Sequence, residues 1–139
     1  MKNIVSRILR SDLEGVWNNR AILFFRVFIS LELIIVHGLK KIGVGVMQAE
    51  MIPNPMGLPE VLNSVFAISA NIVFPLFIIV GFFTRVAIVP VLAVTLTGYF
   101  VVHGSDSLLE KDVPFMYSVS YLLLFILGAG KYSIDAKLS

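Results

Sequence analysis

The sequence predicts an all-α fold, a membrane-embedded four-helix bundle, and three observations predict it. Four apolar runs, Ala21–Gly38, Val61–Phe83, Val86–Val102 and Val113–Leu127, occupy most of the 139 residues. The chain is 58% hydrophobic and 14% charged, whereas an average soluble domain is about 25% charged. Finally, so little chain lies outside the runs that nothing could cover four fully apolar helices in water.

A membrane-crossing helix needs about 20 mostly apolar residues, because the hydrocarbon core cannot solvate backbone polar groups and each helix satisfies its own. The second run meets that length outright. The first and third sit at its lower edge, and the fourth reaches it only if Gly128 and Ala129 extend it. Connections this short join the helices into a single bundle.

The ends of the runs carry their own signals. Residues 1–20 form an N-terminal cytoplasmic or interfacial segment, and 21–139 form the four-span domain. In the leader, Ile4, Val5, Ile8, Leu9, Leu13, Val16 and Trp17 interleave with Arg7, Arg10 and Asp12. That pattern predicts an amphipathic helix lying in the interface, or a basic leader with partial order, and it offers no cleavable signal sequence. Pro59-Glu60 opens the second span, and Asp112-Val113-Pro114 supplies a cap and an early proline for the fourth, which Gly128 and Gly130 end. The stretch 43–59, with three prolines and three glycines, predicts an extracytoplasmic loop that packs against or dips into the bilayer edge, where it could serve as a lid.

Lys/Arg asymmetry sets orientation. Lys2, Arg7, Arg10, Arg20, Arg85, Lys131 and Lys137 fall on one side, against Lys40, Lys41 and Lys111 on the other. Both termini are therefore expected in the cytoplasm. The net charge of +2 gives no basis for nucleic-acid binding, and with no cysteine the chain carries neither thiol chemistry nor a thiolate metal site.

Ionisable groups inside a membrane are costly and mark sites. At about 100° per residue, Arg26, Ser30 and His37 fall on one stripe of the first span, which Lys40 continues; Glu32 lies off it. Arg26 either snorkels or pairs structurally, or it touches a ligand. Glu32, near mid-bilayer, matches Asn71 of the antiparallel second span in depth, and Pro75 leaves the Asn71 carbonyl without its helical donor. That pair makes a polar pocket or a simple interhelical hydrogen bond. His37 and His103 end the first and third spans at one face, where they could handle protons for a quinone, ligate haem or a metal, or bond to headgroups. A metal would need a third ligand from Glu50, Asp106 or Glu110. The segments Arg26…His37-Gly38 and Arg85…His103-Gly104 echo one another, as a duplicated hairpin or by coincidence.

Arg26 with His37-Gly38 and Lys40-Lys41, Gly57-Leu58-Pro59, Gly81-Phe-Phe-Thr-Arg85, Val101-Val-His103-Gly104 and Gly128-Ala-Gly-Lys-Tyr-Ser-Ile-Asp135 resemble the DoxX family over about residues 20–137. In the closing segment Ala129 stands where the family has proline and Lys131 where it has arginine. Asn71 stands where many relatives carry glutamate. The resemblance implies a four-helix protein of the bacterial plasma (inner) membrane, related to subunits of a thiosulfate:quinone oxidoreductase, to anchors for soluble redox and sulfur-metabolism enzymes, and distantly to assembly helpers for ion channels.

The leading expectation is a redox-associated subunit that binds a quinone-like or other small amphipathic molecule, with Arg26, Glu32, His37 and His103 managing charge and protons. No cofactor motif for carrying electrons is present, so a partner would supply them. The alternatives are a non-enzymatic scaffold for soluble partner enzymes and a small-solute transporter working as a homo-oligomer.

Overall fold

A computed structural model describes residues 15–139, and all regular structure among them is helical. The elements are α1 (Val16–Lys41), α2 (Glu60–Val80), α3 (Thr84–Val102), α4 (Asp112–Leu127) and α5 (Ile134–Leu138). The first three are long and apolar enough to cross a membrane, at 26, 21 and 19 residues; α4 is an apolar helix of 16 residues packed among them. The four long helices alternate in direction. One end of the bundle gathers the start of α1, the 81–83 turn and the tail, and the other gathers the 42–59 and 103–111 loops.

Two sequence expectations shift at the helix starts. No break falls at residue 20, because α1 begins at Val16 and carries Trp17, with the Arg20 guanidinium 5.1 Å above the indole. The interfacial helix expected nearer the N-terminus lies outside the described residues. Asp112 sits in the first turn of α4, with Lys111 at the capping position and no side-chain cap.

Residues from α1, α2, α3 and α4 meet in a core of Leu33, Ile78, Ala87, Ile88, Val91, Tyr117, Tyr121 and Leu124. Phe24, Phe28, Val61, Leu76, Val86, Leu122 and Ile126 face outward. In water such a surface would far exceed the apolar patches soluble proteins tolerate. Against hydrocarbon it is the expected solvent-facing side, so the bundle belongs in a bilayer.

Each of the three longest helices contains one π turn: Leu33–Gly38, Ser69–Val73 and Gly98–Val102. The second has a local cause. Pro75 has no N–H, and its ring would crowd the carbonyl four residues earlier, that of Asn71. The chain answers by widening the preceding turn, so that the Phe74 N–H bonds to Ser69 O instead. The displaced Asn71 carbonyl then meets α1 at Gly38. A Cβ on Gly38 would lie 2.7 Å from Asn71 O and 2.7 Å from Ile72 Cγ1, so only glycine permits this approach.

Candidate functional site

Two polar constellations occupy opposite ends of the bundle. At the loop end, a cavity of about 520 Å³ opens between the helices under residues 50–58. All three π turns contribute to its wall, through Leu33 and His37, Asn71, and Gly98 with Val102. Such turns often mark functional sites because they aim side chains that a regular helix would bury or expose. Most of the wall is apolar, and Met51, Ile52, Pro53 and Met56 roof it.

The polar groups of the cavity gather at its mouth. His37 packs edge-on against Tyr117, with centroids 5.4 Å apart. Lys40 and Lys41 grip Glu50 at 3.0 and 3.1 Å, and Lys41 also donates to His37 O at 3.1 Å. Partial burial pushes the Glu50 carboxyl up, but hydrogen bonds and charge from the two ammonium groups outweigh it and hold the group below its ordinary value. Across the opening, His103 Nδ1 and Asp106 Oδ2 lie 2.7 Å apart. With Asp106 ionised, that nitrogen donates and the ring's Nε2 is left for another partner. Glu110 is engaged by the Ser107 amide and hydroxyl, at 3.1 and 3.3 Å.

Of the sequence-derived candidates, His37, Asn71 and His103 share this cavity, and Lys40 joins them. Arg26, Ser30 and Glu32 do not. Glu32 is exposed and makes no hydrogen bond with Asn71, whose amide donates to Ala67 O of its own helix at 2.7 Å. Glu32 follows the inward-facing Ser30 by two positions, and two helical steps of about 100° turn it off the inward stripe to an exposed position. Ser30 and Tyr121 share a buried hydrogen bond of 3.1 Å between α1 and α4. Among the described residues no group of three His, Asp or Glu side chains is placed to hold a metal ion.

Sequence reasoning missed Tyr117, Thr95 and Asn63 as lining residues, along with the Lys40–Glu50–Lys41 bridge. Tyr117 lies four residues before Tyr121, and that aromatic spacing on one face of an apolar helix was its available signal.

At the opposite end, the tail is clasped to the bundle. Arg26, 1% exposed, donates to Ala129 O at 2.7 Å and to Tyr132 O at 2.6 Å. Arg85 reaches the last turn of α4, donating to Phe125 O at 2.9 Å and Ile126 O at 3.1 Å. The two arginines of the sequence echo thus do parallel work on carbonyls of one segment, residues 125–132, and the two histidines of the same echo face one cavity. Asn19 accepts from the Lys131 amide at 2.8 Å.

Asp135 completes the clasp. Its carboxylate accepts from the Phe83 and Thr84 amides at 2.7 and 2.9 Å, and its own amide donates to Gly81 O at 2.8 Å. Burial raises the Asp135 carboxyl, but these amide bonds and the charge of Arg26 prevail and lower it. The two amides belong to the start of α3, where an anion is favoured. Phe83 adopts a left-handed backbone, φ 46°, which costs a non-glycine residue about 1–2 kcal/mol and is offset by the carboxylate on its amide. Gly81 is also left-handed, φ 71°, and a side chain there would collide with the Arg26 guanidinium. The closing motif of the sequence is therefore an architectural device.

Neither a curated protein nor a solved structure matches the chain. A family model described as DoxX matches residues 21–104, more than half of the sequence, from the first turns of α1 to the glycine after His103. That stretch contains both arginines of the clasp, both histidines of the cavity, and the lysine pair with its glutamate. By this match the chain belongs to the DoxX family.

Proposed function

We propose that this protein is a bacterial inner-membrane, redox-associated subunit that binds a quinone-like or similarly small amphipathic molecule in the loop-end cavity. One observation carries the proposal: a cavity of about 520 Å³ with mostly apolar walls converges on His37, Lys40, Lys41, Asn71 and His103 at one end. Small-molecule sites have that makeup, an apolar body with a few convergent polar groups that fix orientation. The ring and tail of the ligand would lie against Leu33, Phe66, Ala67 and Val94, and its oxygens would face His37 and His103.

Quinone reduction takes up two electrons and two protons. The chain's own part is the protons, which imidazole side chains such as those of His37 and His103 can hold and release. Electrons would arrive from a partner protein. In this arrangement α4 is the fourth crossing, both termini face the cytoplasm, and the cavity faces outward. The basic residues left on the outer side have local occupations that account for them: Lys40 and Lys41 hold Glu50, and Lys111 lies 4.9 Å over the Tyr99 ring.

The test is mass spectrometry of small molecules extracted from the gently solubilised protein, with its absorbance spectrum, for the parent and for His37→Ala. The expected result is a co-purifying amphiphile, lost or much reduced in the variant while insertion and helicity are unchanged. Equal retention by both would refute the site. A scaffold role has one observation in its favour, the exposed Met47, Met51 and Met56 of the loop, since methionine-rich surfaces adapt to varied partners. Soluble enzymes that co-purify equally with parent and His37→Ala would favour it.

A further inference from the structure

We propose that the cavity prefers an amphiphile with an anionic, two-oxygen head such as a carboxylate, and that Glu50 is a tethered stand-in for that head. The inference rests on the cavity being an amphiphile site and names the ligand class. Glu50 presents one oxygen to each lysine, Oε1 to Lys40 at 3.0 Å and Oε2 to Lys41 at 3.1 Å. Both lysines line the cavity, and so does Glu50. The geometry is that of a carboxylate held between two ammonium groups, at the polar end of an apolar chamber.

The pair is prepared for an anion. The Lys41 side chain is 13% exposed, and its ammonium is fixed by His37 O as well as by Glu50. Glu50 is attached so that it can leave without dismantling the loop. Its amide donates to Lys40 O at 2.9 Å, which anchors the main chain on the end of α1, while 39% of its side chain remains exposed. Side-chain rotation alone would free both lysines. The other carboxylate of the lining, Glu110, is occupied by Ser107.

Exchange then follows from the chemistry of the heads. An incoming carboxylate replaces Glu50 like for like, so the ammonium groups never lose their partner and the burial of the ligand tail becomes net gain. A neutral head offers the lysines nothing equal to what they would give up. A cationic head would meet two like charges.

The test uses the full chain in phosphatidylcholine nanodiscs, with labelled decanoate and decanol as probes and empty discs to correct for partition. Decanoate should bind saturably and about tenfold tighter than decanol, the scale of one added charged contact. Glu50→Gln and Glu50→Ala remove the competitor and should each tighten decanoate by about threefold to tenfold with decanol unchanged. The double variant Lys40→Gln/Lys41→Gln should bring decanoate down to the level of decanol. Saturable binding of both probes with no preference for the acid, or weaker decanoate binding in both Glu50 variants, would overturn the stand-in and leave the amphiphile site intact. No saturable binding of either probe would overturn the site itself, and the stand-in with it.

Discussion

Replacing Arg26 separates an architectural from a ligand-binding role. Its guanidinium is buried and donates to Ala129 O and Tyr132 O, residues that lie more than a hundred positions away in sequence. Leucine at this position would leave both carbonyls without that donor. A buried polar group left unmade costs about 1–3 kcal/mol, so Arg26→Leu should destabilise the protein by about 2–6 kcal/mol, with partial relief if the tail peels away to reach water. Lysine has one ammonium and no planar fork. Arg26→Lys should therefore recover one of the two bonds, about half of the loss. The assay is urea unfolding in detergent followed by circular dichroism, alongside ligand retention on the still-folded protein. The expected pattern is a graded loss of stability, Leu worse than Lys, with retention unchanged in the folded fraction. Unchanged stability with lost retention would refute the clasp and place Arg26 in the site.

Two further outcomes follow from the same geometry. Asp135→Asn should cost about 0.5–2 kcal/mol near neutral pH, the scale of a lost helix cap. Because the folded-state pKa of Asp135 lies below its unfolded value of 3.8, that stabilisation is complete above 3.8 and disappears as pH falls through the folded value. The melting-temperature gap between parent and variant should thus close in acid, and a gap that persists there would exclude the charge as its origin. Gly38→Ala forces a Cβ against Asn71 O and Ile72; α1 and α2 must separate, at about 1–3 kcal/mol, with weaker ligand retention because His37 and Asn71 flank the contact. A thermal melt identical to the parent would show that the helices do not approach so closely.

The membrane nature of the chain was legible from hydropathy alone, since long apolar runs have few other fates. The extents of α3 and α4 were legible for the same reason. The run Val61–Phe83, by contrast, overran α2, which ends at Val80 because Gly81 turns left-handed and residues 81–83 form the turn to α3. Ser30 and Arg26 were rightly placed on the inward stripe, because their spacing of four residues holds in any α-helix. His37 was harder: the π turn at Leu33–Gly38 intervenes, and its wider turn breaks the 100° count on which the continuous stripe depended. The Glu32–Asn71 pairing failed because equal depth fixes only one coordinate. Rotation about each helix axis fixes the other, and Glu32 is exposed while the Asn71 amide turns to its own backbone.

The sequence by itself determined which segments are helical, which residues are costly in lipid, and which family pattern the chain follows; these depend on local composition and short-range spacing. Only the tertiary structure decided that Arg26 and Arg85 serve the tail while His37 and His103 serve a cavity, and that Glu50 rests between two lysines. Those partnerships join residues far apart in the chain, and they depend on helix rotation, on π turns and on the folding back of a loop. None of these leaves a periodic trace in sequence.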